Sequence, residues 1–436
     1  MTAEIAIVNR SSVTLAADSA MTMFVGGQKK IYTSTDKIFE LSDKDPIGFM
    51  VYNNLEFINA PIDVLVKQFR NSTHCCQFST LAEAPKAFFT FLSTEWMPSE
   101  PLQQKHARDI LLPLYEDVFD KFFGERNNLF RGRANKNPKP IDILLQYVSA
   151  EVERLEQCPP SDCFVNCPEE HIIGFYADTL DGLTKDIFHS PPLDEDGKIL
   201  CRRLGGLALH RDVFSDAMSG FVFAGFGQND TFPSLLHYET DGIIANCLKT
   251  RMSDNITMGR EKISAKVLPF AQRDVVDRFL AGIDPQLQDG IAEYLERTVK
   301  KTKESLWTAV KGVPRKAKAA VEENVDQSLG ELVSSFSPWL ENVKRAYSKE
   351  TEDMILFMAK PEAAHLAESL VNITSLKRKY SAGEESVAGP IDVAVISKGE
   401  GFVWVKRKHY FPAELNQRYL HRKFGKPITE RKPGDA

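Results

Sequence analysis

A threonine follows the first methionine of this 436-residue chain, and its position suits a nucleophile. Methionine is normally removed before a residue as small as threonine, so we expect the mature chain to begin at Thr2. Thr2 would then carry a hydroxyl and a free α-amine, whose pKa near ~8 lets it take the hydroxyl proton at neutral pH. Threonine also follows methionine in many unrelated proteins, so a catalytic role for Thr2 needs support from the neighbouring residues.

The first nineteen residues predict that Thr2 enters a β-sheet. Ile5 and Ile7, and then Val13, Leu15 and Ala17, alternate with other residues on the two sides of a turn-like segment at 9–12. This alternation is typical of two short strands joined by a tight hairpin.

The strand that ends in Asp18 carries a resemblance to a known family. The run at 13–19, VTLAADS, resembles the second strand of proteasome β subunits and of the bacterial HslV peptidases. In that family the mature chain begins with threonine and this strand ends in an aspartate, at the spacing that separates Thr2 from Asp18. The next run at 33–41, TSTDKIFEL, resembles the following strand of the family, where a lysine precedes an apolar run. Lys37 is the matching position.

The resemblance implies a role for each of these residues. The Thr2 hydroxyl would attack a carbonyl carbon, and its α-amine would take the proton and later donate it to the leaving amine. Lys37 would supply positive charge beside Thr2, lowering the cost of the alkoxide and keeping the amine unprotonated. Asp18 would pair with Lys37 and hold it in place. An ordinary salt bridge between Asp18 and Lys37 is the alternative interpretation.

Two further parts of the family's site match this sequence less closely. Where the family has glycines beside the substrate, this chain has Tyr52 and two asparagines; the backbone N–H near Tyr52 would face the oxyanion, and its side chain would crowd the pocket. In the family a loop reading Asp-x-x-Ser-Gly-Gly holds the terminal amine. Glu385, Ser386 and Gly389 are the nearest equivalents, and Ser386 could equally be a turn residue.

The order of the remaining elements extends the resemblance. Residues 37–41 and 46–52 predict a second hairpin, residues 220–227 and 233–242 a central hairpin closing on an Asp-Gly turn, and residues 390–396 and 401–405 a final strand pair after a helix at 363–375. An amphipathic helix at 55–70, with Pro61 in its first turns, would lie across the sheet. The resemblance implies an α+β fold, a four-layer αββα sandwich of the N-terminal nucleophile (Ntn) hydrolase class.

The rest of the chain predicts insertions into this fold. We divide the chain into core at 1–80, a mostly helical insertion at 81–214 with an irregular part at 158–212, core at 215–285, a long helical insertion at 286–358, core at 359–410 and a basic tail at 411–436. Pro314 would kink or divide the second insertion. That insertion is expected to be an amphipathic hairpin that contacts a partner or another subunit, with a cover helix as the alternative.

Composition excludes several classes of protein. With a net charge of −6 and a pI near 5.9, nucleic acid is not an expected partner. No long apolar run or signal peptide occurs, which predicts a cytoplasmic protein without a membrane partner. The seven cysteines are expected to be reduced thiols, since His74 and the cysteines lack the common zinc spacings. Neither a cofactor nor a metal is expected.

The sequence therefore predicts a proteasome-like threonine peptidase or amidohydrolase that uses Thr2. The resemblance implies a peptide or protein substrate and a homo-oligomer, and it allows an unfoldase or another protein partner. The alternative is an inactive member of the same fold that acts as a binding or assembly subunit, which Tyr52 and the insertions would suit. Retention of Met1 would favour that alternative, because Thr2 would then have no free amine.

Overall fold

The computed structural model describes residues 2–25, 28–131, 139–259, 265–309, 315–381 and 388–409, together with residues 411, 415–416 and 418. They form a mixed α+β protein whose strands are β1 (Ala3–Val8), β2 (Ser12–Ala17), β3 (Met21–Val25), β4 (Gln28–Tyr32), β5 (Ile38–Glu40), β6 (Ile47–Asn53), β7 (Glu56–Phe57), β8 (Ala60–Pro61), β9 (Ser219–Gly225), β10 (Ser234–Ile244), β11 (Cys247–Thr257), β12 (Lys266–Ala271), β13 (Asp392–Ser397) and β14 (Gly401–Lys406). The helices are α1 (Ile62–Asn71), α2 (Glu83–Thr94), α3 (Glu100–Arg131), α4 (Pro140–Glu156), α5 (Glu169–Phe175), α6 (Ala177–Ile187), α7 (Glu195–His210), α8 (Asp274–Ala281), α9 (Pro285–Ala309), α10 (Arg315–Leu356) and α11 (Lys360–Tyr380). None of these described helices is both long and apolar enough to cross a lipid bilayer.

Two five-stranded antiparallel sheets organise the strands. Sheet I has the order β12-β1-β2-β13-β14, and sheet II has the order β11-β10-β9-β6-β5. Strands β3 and β4 form one separate two-stranded ribbon, and β7 and β8 form another. Because β1 lies between β12 and β2, the chain enters the interior of sheet I rather than its edge.

The predicted hairpins are confirmed by the strand pairing. Strand β1 pairs with β2, β5 with β6, β9 with β10, and β13 with β14, all antiparallel. In addition β13 pairs with β2, with Asp392 opposite Ala17. The first and last predicted hairpins therefore lie side by side in sheet I, although more than 370 residues separate them along the chain.

Apolar clusters show what each sheet face contacts. Ala6, Val8, Val13 and Leu15 of sheet I pack with Met50, Val222 and Leu235 of sheet II. The opposite face of sheet I packs on α11, and the opposite face of sheet II packs on α1 and α2. Helices α3 to α7 share a separate cluster of their own, which includes Tyr115, Leu144, Leu180 and Leu204.

The helix predicted at 55–70 begins later than expected. It starts at Ile62, and Pro61 is the residue before its first turn, with φ of −61°. The preceding residues form the β7–β8 ribbon, whose turn places Ile58 and Asn59 at positive φ. A turn of this kind cannot be part of a helix, so the prediction that the helix begins at Leu55 was wrong.

The Asp-Gly turn predicted at the end of the central hairpin was also wrong. Strand β10 continues to Ile244, and Gly242 lies at a shift of the β10–β11 register. A bulge uses the same residue types as a turn, which explains the error. Strands β3, β4, β11 and β12 were not predicted at all.

The segment predicted to be irregular at 158–212 is mostly helical, since α5, α6 and α7 lie in it. Gly205, in the segment predicted to be irregular, lies inside α7, where an added Cβ would come within 2.3 Å of Leu180. The glycine therefore permits close helix packing instead of breaking the chain. In the second insertion α9 and α10 are present as two helices, and Pro314 lies outside the described residues.

Candidate active site

Thr2 precedes β1, and its side chain lies inside the protein. The residue is 4% exposed, and its Oγ donates a hydrogen bond to Oε2 of Glu4 over 3.0 Å. Residues two apart on a strand point to the same face, so β1 presents Thr2 and Glu4 together. The hydroxyl is thus held against a carboxylate rather than exposed to bulk water.

Asp18 follows β2 and fixes the start of β1. Its Oδ1 accepts the backbone N–H of Ala3 over 3.1 Å, and its Oδ2 accepts those of Ala20 and Ala388 over 3.1 and 3.2 Å. These bonds join the ends of β1 and β2 to the segment before β13. The carboxylate therefore sets the position of the residue directly after Thr2.

Lys37 is buried between two carboxylates. Its Nζ lies 2.5 Å from Oδ1 of Asp18 and 3.0 Å from Oε1 of Glu4, and its side chain is 0% exposed. The Lys37 carbonyl accepts the N–H of Val51, which anchors the lysine at the start of the β5–β6 hairpin. The predicted pairing of Asp18 with Lys37 is confirmed, and the catalytic role of the pair remains a prediction.

Glu4 is the member of this cluster that sequence reasoning missed. It lies on the same face of β1 as Ala6 and Val8, which pack against sheet II, and it is fully buried. Burial raises the pKa of the Glu4 carboxyl to about 7, because the opposing attraction of Lys37 offsets only part of the desolvation. Its burial could have been suspected from the sequence, because Glu4 is a charged residue among the apolar residues of a predicted strand.

The Tyr52 side chain enters the space between the sheets. Its hydroxyl lies 2.7 Å from Nε2 of His237, and Nδ1 of that ring lies 2.8 Å from Oδ2 of Asp254. Its ring also stacks on Phe270 with centroids 5.5 Å apart. Burial, with the nearby carboxylates of Glu239 and Glu4, raises the pKa of Tyr52 above its usual value. His237 and Asp254 are paired across β10 and β11. Their contact was not predicted, because strand β11 was not.

The backbone of Tyr52 has a defined direction. Val51 directs its N–H towards Lys37, and successive N–H groups of a strand point to opposite sides. The N–H of Tyr52 therefore points towards β9, where the register opposes it to Gly220. An oxyanion donor at Tyr52 stays a prediction, and this strand geometry does not favour it.

An open cleft of about 560 Å³ lies beside Tyr52. Tyr52 lines it together with Ala271 and Gln272, and Ala271 is the register partner of Ala3. Its charged lining residues include Arg251 and Glu239, whose side chains lie 2.6 Å apart. The cleft therefore reaches the strand that pairs with the start of β1, and neither Thr2 nor Glu4 is among its lining residues.

The predicted site residues Glu385 and Ser386 lie in the segment 382–387, outside the described residues. The residues that follow it do reach the cluster, because Ala388 donates to Asp18 and the Ser19 hydroxyl donates to the Pro390 carbonyl over 2.5 Å. Ser19, next to Asp18, is a second polar residue whose contact was not predicted.

The cysteines bear on whether the protein could bind a metal. All seven are free thiols, and among the described residues no group of three or more His, Cys, Asp or Glu side chains is arranged to hold a metal ion. The cluster around Thr2 combines a hydroxyl, two carboxylates and one ammonium group. Such a set can activate a hydroxyl by proton transfer.

No model of a known protein family matches this sequence, and no curated protein is detectably similar to it.

Proposed function

We propose that the protein is a proteasome-like threonine hydrolase, in which Thr2 becomes the N-terminal nucleophile after removal of Met1 and cleaves amide or peptide bonds. The observation that carries the proposal is the buried contact of Thr2 Oγ with the Glu4 carboxylate, which in turn faces Nζ of Lys37. Acyl transfer by a hydroxyl needs a proton acceptor and positive charge beside the oxygen. Both are present within successive contacts of Thr2.

The arrangement of the sheets supports the same proposal. Helix α11 packs on sheet I, sheet I packs on sheet II, and sheet II packs on α1 and α2. A four-layer αββα sandwich of the Ntn hydrolase class has this succession. Thr2 would then lie at the start of a central strand, with its side chain directed between the two sheets.

The reaction would proceed through an acyl-enzyme. Thr2 Oγ attacks the carbonyl carbon, its proton passes to a base, and the carbonyl oxygen takes the negative charge. Collapse of this intermediate breaks the C–N bond, and the base returns the proton to the leaving amine. Water then hydrolyses the ester and restores the hydroxyl. In the mechanism that the resemblance implies, the base is the α-amine of the threonine.

Lys37 and Asp18 have distinct parts in this proposal. The buried Lys37 ammonium stabilises negative charge developing near Thr2, because water does not screen it there. Asp18 holds Lys37 by an ion pair and holds the start of β1 through the Ala3 N–H. Asp18 thereby positions Thr2, and Lys37 supplies the positive charge. The proposal requires neither a metal nor a cofactor. Glu385 and Ser386 would fix the terminal amine, as the resemblance implies.

The proposed threonine hydrolase class also implies a kind of substrate and partners. A peptide or protein segment would enter the cleft that Tyr52 lines, and the proposed setting is cytoplasmic. Association into a homo-oligomer, with an unfoldase or another protein that delivers substrate, is part of what the resemblance implies. Helices α9 and α10 are the segment that we expect to make such contacts.

Hydrolysis of a set of fluorogenic peptide amides tests the proposal. The wild-type protein is expected to release the fluorophore, and Thr2→Ala should lower the rate at least ~10³-fold because the nucleophile is absent. Thr2→Ser is the matched control, since it keeps a hydroxyl and a small residue after Met1. Hydrolysis by Thr2→Ala at the wild-type rate, or no hydrolysis by the wild type, would contradict the proposal.

One observation favours the inactive alternative, a binding or assembly subunit. The buried Tyr52 side chain occupies the place where the family has glycine, and its contacts with His237 and Phe270 hold it there. Substrate space would be reduced as a result. Retention of Met1, detected by N-terminal sequencing, would favour the binding subunit, because Thr2 would then have no free α-amine.

A further inference from the structure

We propose that the Glu4 carboxylate, and not the terminal α-amine, takes the proton from Thr2 Oγ and returns it to the leaving amine. This inference rests on the proposed hydrolase function and assigns a catalytic residue within it. The family resemblance gives no role to this position, so the assignment comes from the contacts of this chain alone.

The first support is the direct contact. Glu4 Oε2 accepts the hydrogen bond of Thr2 Oγ over 3.0 Å, so the proton to be removed already points at this oxygen. A general base must lie within about 2.6–3.2 Å of the atom whose proton it takes. The whole Glu4 side chain is buried, so bulk water does not compete for the proton.

The two buried carboxylates differ in the number of donors that they accept. The oxygens of Asp18 accept three backbone N–H groups and the Lys37 ammonium, so donors already occupy them. The Glu4 carboxylate meets two donors, Thr2 Oγ at Oε2 and the Lys37 ammonium 3.0 Å from Oε1. Glu4 therefore keeps acceptor capacity that the four donors on Asp18 have already used there.

The electrostatic surroundings suit a proton that moves in both directions. Groups that face Glu4 are Lys37 from the start of the β5–β6 hairpin, Asp18 from the end of β2, and Tyr52 from β6. Their balance with burial raises the pKa of Glu4 to about 7. A base whose pKa lies near the working pH can both accept and donate efficiently.

The proton count closes over one turnover. As Oγ bonds to the carbonyl carbon, the Oγ–H bond breaks and the proton moves to Oε2 while the carbonyl π electrons move to oxygen. When the C–N bond breaks, the Glu4 proton moves to the leaving nitrogen. In deacylation Glu4 accepts a proton from water and returns it to Oγ, so the enzyme ends in its starting state.

The test is the rate at which a β-lactone acylates Thr2, followed by intact mass from pH 5 to pH 9. In the wild type the rate should rise through a midpoint near 7. Glu4→Gln keeps the shape of the side chain, and should lower the rate at pH 8 at least ~10²-fold and remove that midpoint. Glu4→Asp, which retains a carboxylate, should recover part of the rate and shift the midpoint.

Each outcome has one meaning. Acylation of Glu4→Gln at the wild-type rate, or at a lower rate with an unchanged midpoint, would overturn the inference, because a structural role alone leaves the titration in place. If Glu4→Gln does not fold by circular dichroism, an unchanged midpoint in Glu4→Asp overturns it instead. Absence of acylation in the wild type would contradict the hydrolase function itself, and the inference with it.

Discussion

Lys37 Nζ lies 2.5 Å from Asp18 Oδ1, and both side chains are almost completely removed from solvent. An ion pair in such surroundings adds little net stability, because the cost of desolvating two charges offsets their attraction. The ion pair instead fixes the position of the chain, since Asp18 also accepts a backbone N–H at the start of β1. The pair therefore determines where Thr2 is held relative to the rest of the cluster.

Replacing Lys37 by methionine should destabilise the protein strongly. Lys37→Met leaves two buried carboxylates, Glu4 and Asp18, without a cation, and we expect the free energy of unfolding to fall by about 3–5 kcal/mol. Urea unfolding at neutral pH measures the change. Lys67→Met is the control, because Lys67 forms an exposed pair with Asp63 and should cost less than ~1 kcal/mol. An equal loss of unfolding free energy in the two variants would show that the Lys37 ammonium is not needed to stabilise the buried carboxylates.

Gly389 should not tolerate a side chain. Its φ is +86°, and an added Cβ would lie 2.6 Å from the Thr33 carbonyl oxygen. Gly389→Ala should therefore lower the free energy of unfolding by about 1–3 kcal/mol and disturb the neighbouring Ala388 N–H that binds Asp18. Gly399→Ala is the control, since no atom lies within 4 Å of its added Cβ. Thermal unfolding of both proteins measures this, and equal midpoints would contradict the prediction.

The Tyr52 hydroxyl should contribute measurably to stability. Tyr52→Phe removes the contact with His237 Nε2, which we expect to cost about 1 kcal/mol in the free energy of unfolding. Tyr294→Phe, at a position 70% exposed, should change it by less than ~0.5 kcal/mol. Denaturant titrations of the two variants provide the comparison. A Tyr52→Phe protein as stable as the wild type would mean that the buried contact has no net value.

Stability should depend on pH through Glu4. Its pKa is about 7 in the folded protein against 4.5 ordinarily, so the folded state binds this proton more tightly. The contribution is complete below about pH 4.5 and is lost as the pH rises to about 7, which amounts to roughly 3 kcal/mol.

Glu4→Gln cannot titrate and provides the reference for that pH dependence. The difference in free energy of unfolding between the two proteins should change between pH 5 and pH 7 and stay constant above pH 8, as measured by urea titration at each pH. The same pH slope in both proteins would rule out the raised pKa of Glu4.

Local sequence patterns predicted those parts of the fold that depend on alternation over a few residues. The β1–β2 hairpin has a period-two pattern, the β9–β10 and β13–β14 hairpins contain short apolar runs bounded by turn residues, and pairing confirmed all three. Strand β12 was not predicted because Pro269 lies inside it, and a proline is tolerated there only because β12 is an edge strand. Edge position is a property of the folded sheet that no single segment reveals.

The candidate site shows the same division. Asp18 and Lys37 were identified from a resemblance, and the structure confirms that they pair. Glu4 was missed because a glutamate in an N-terminal strand reads as a solvent-facing residue until the second sheet is known to cover that face. The contact of Tyr52 with His237 depends on β6 and β10 meeting across β9, at a sequence separation of 185 residues.

The most direct test of the central claim is the mass of the intact protein, with N-terminal sequencing, before and after treatment with a threonine-directed epoxyketone. This class of probe bonds to both the hydroxyl and the free α-amine of an N-terminal threonine. We predict that the sequence begins at Thr2 and that one adduct forms there, and that Thr2→Ala forms none. A chain that retains Met1 and forms no adduct would contradict the proposal that Thr2 is the nucleophile.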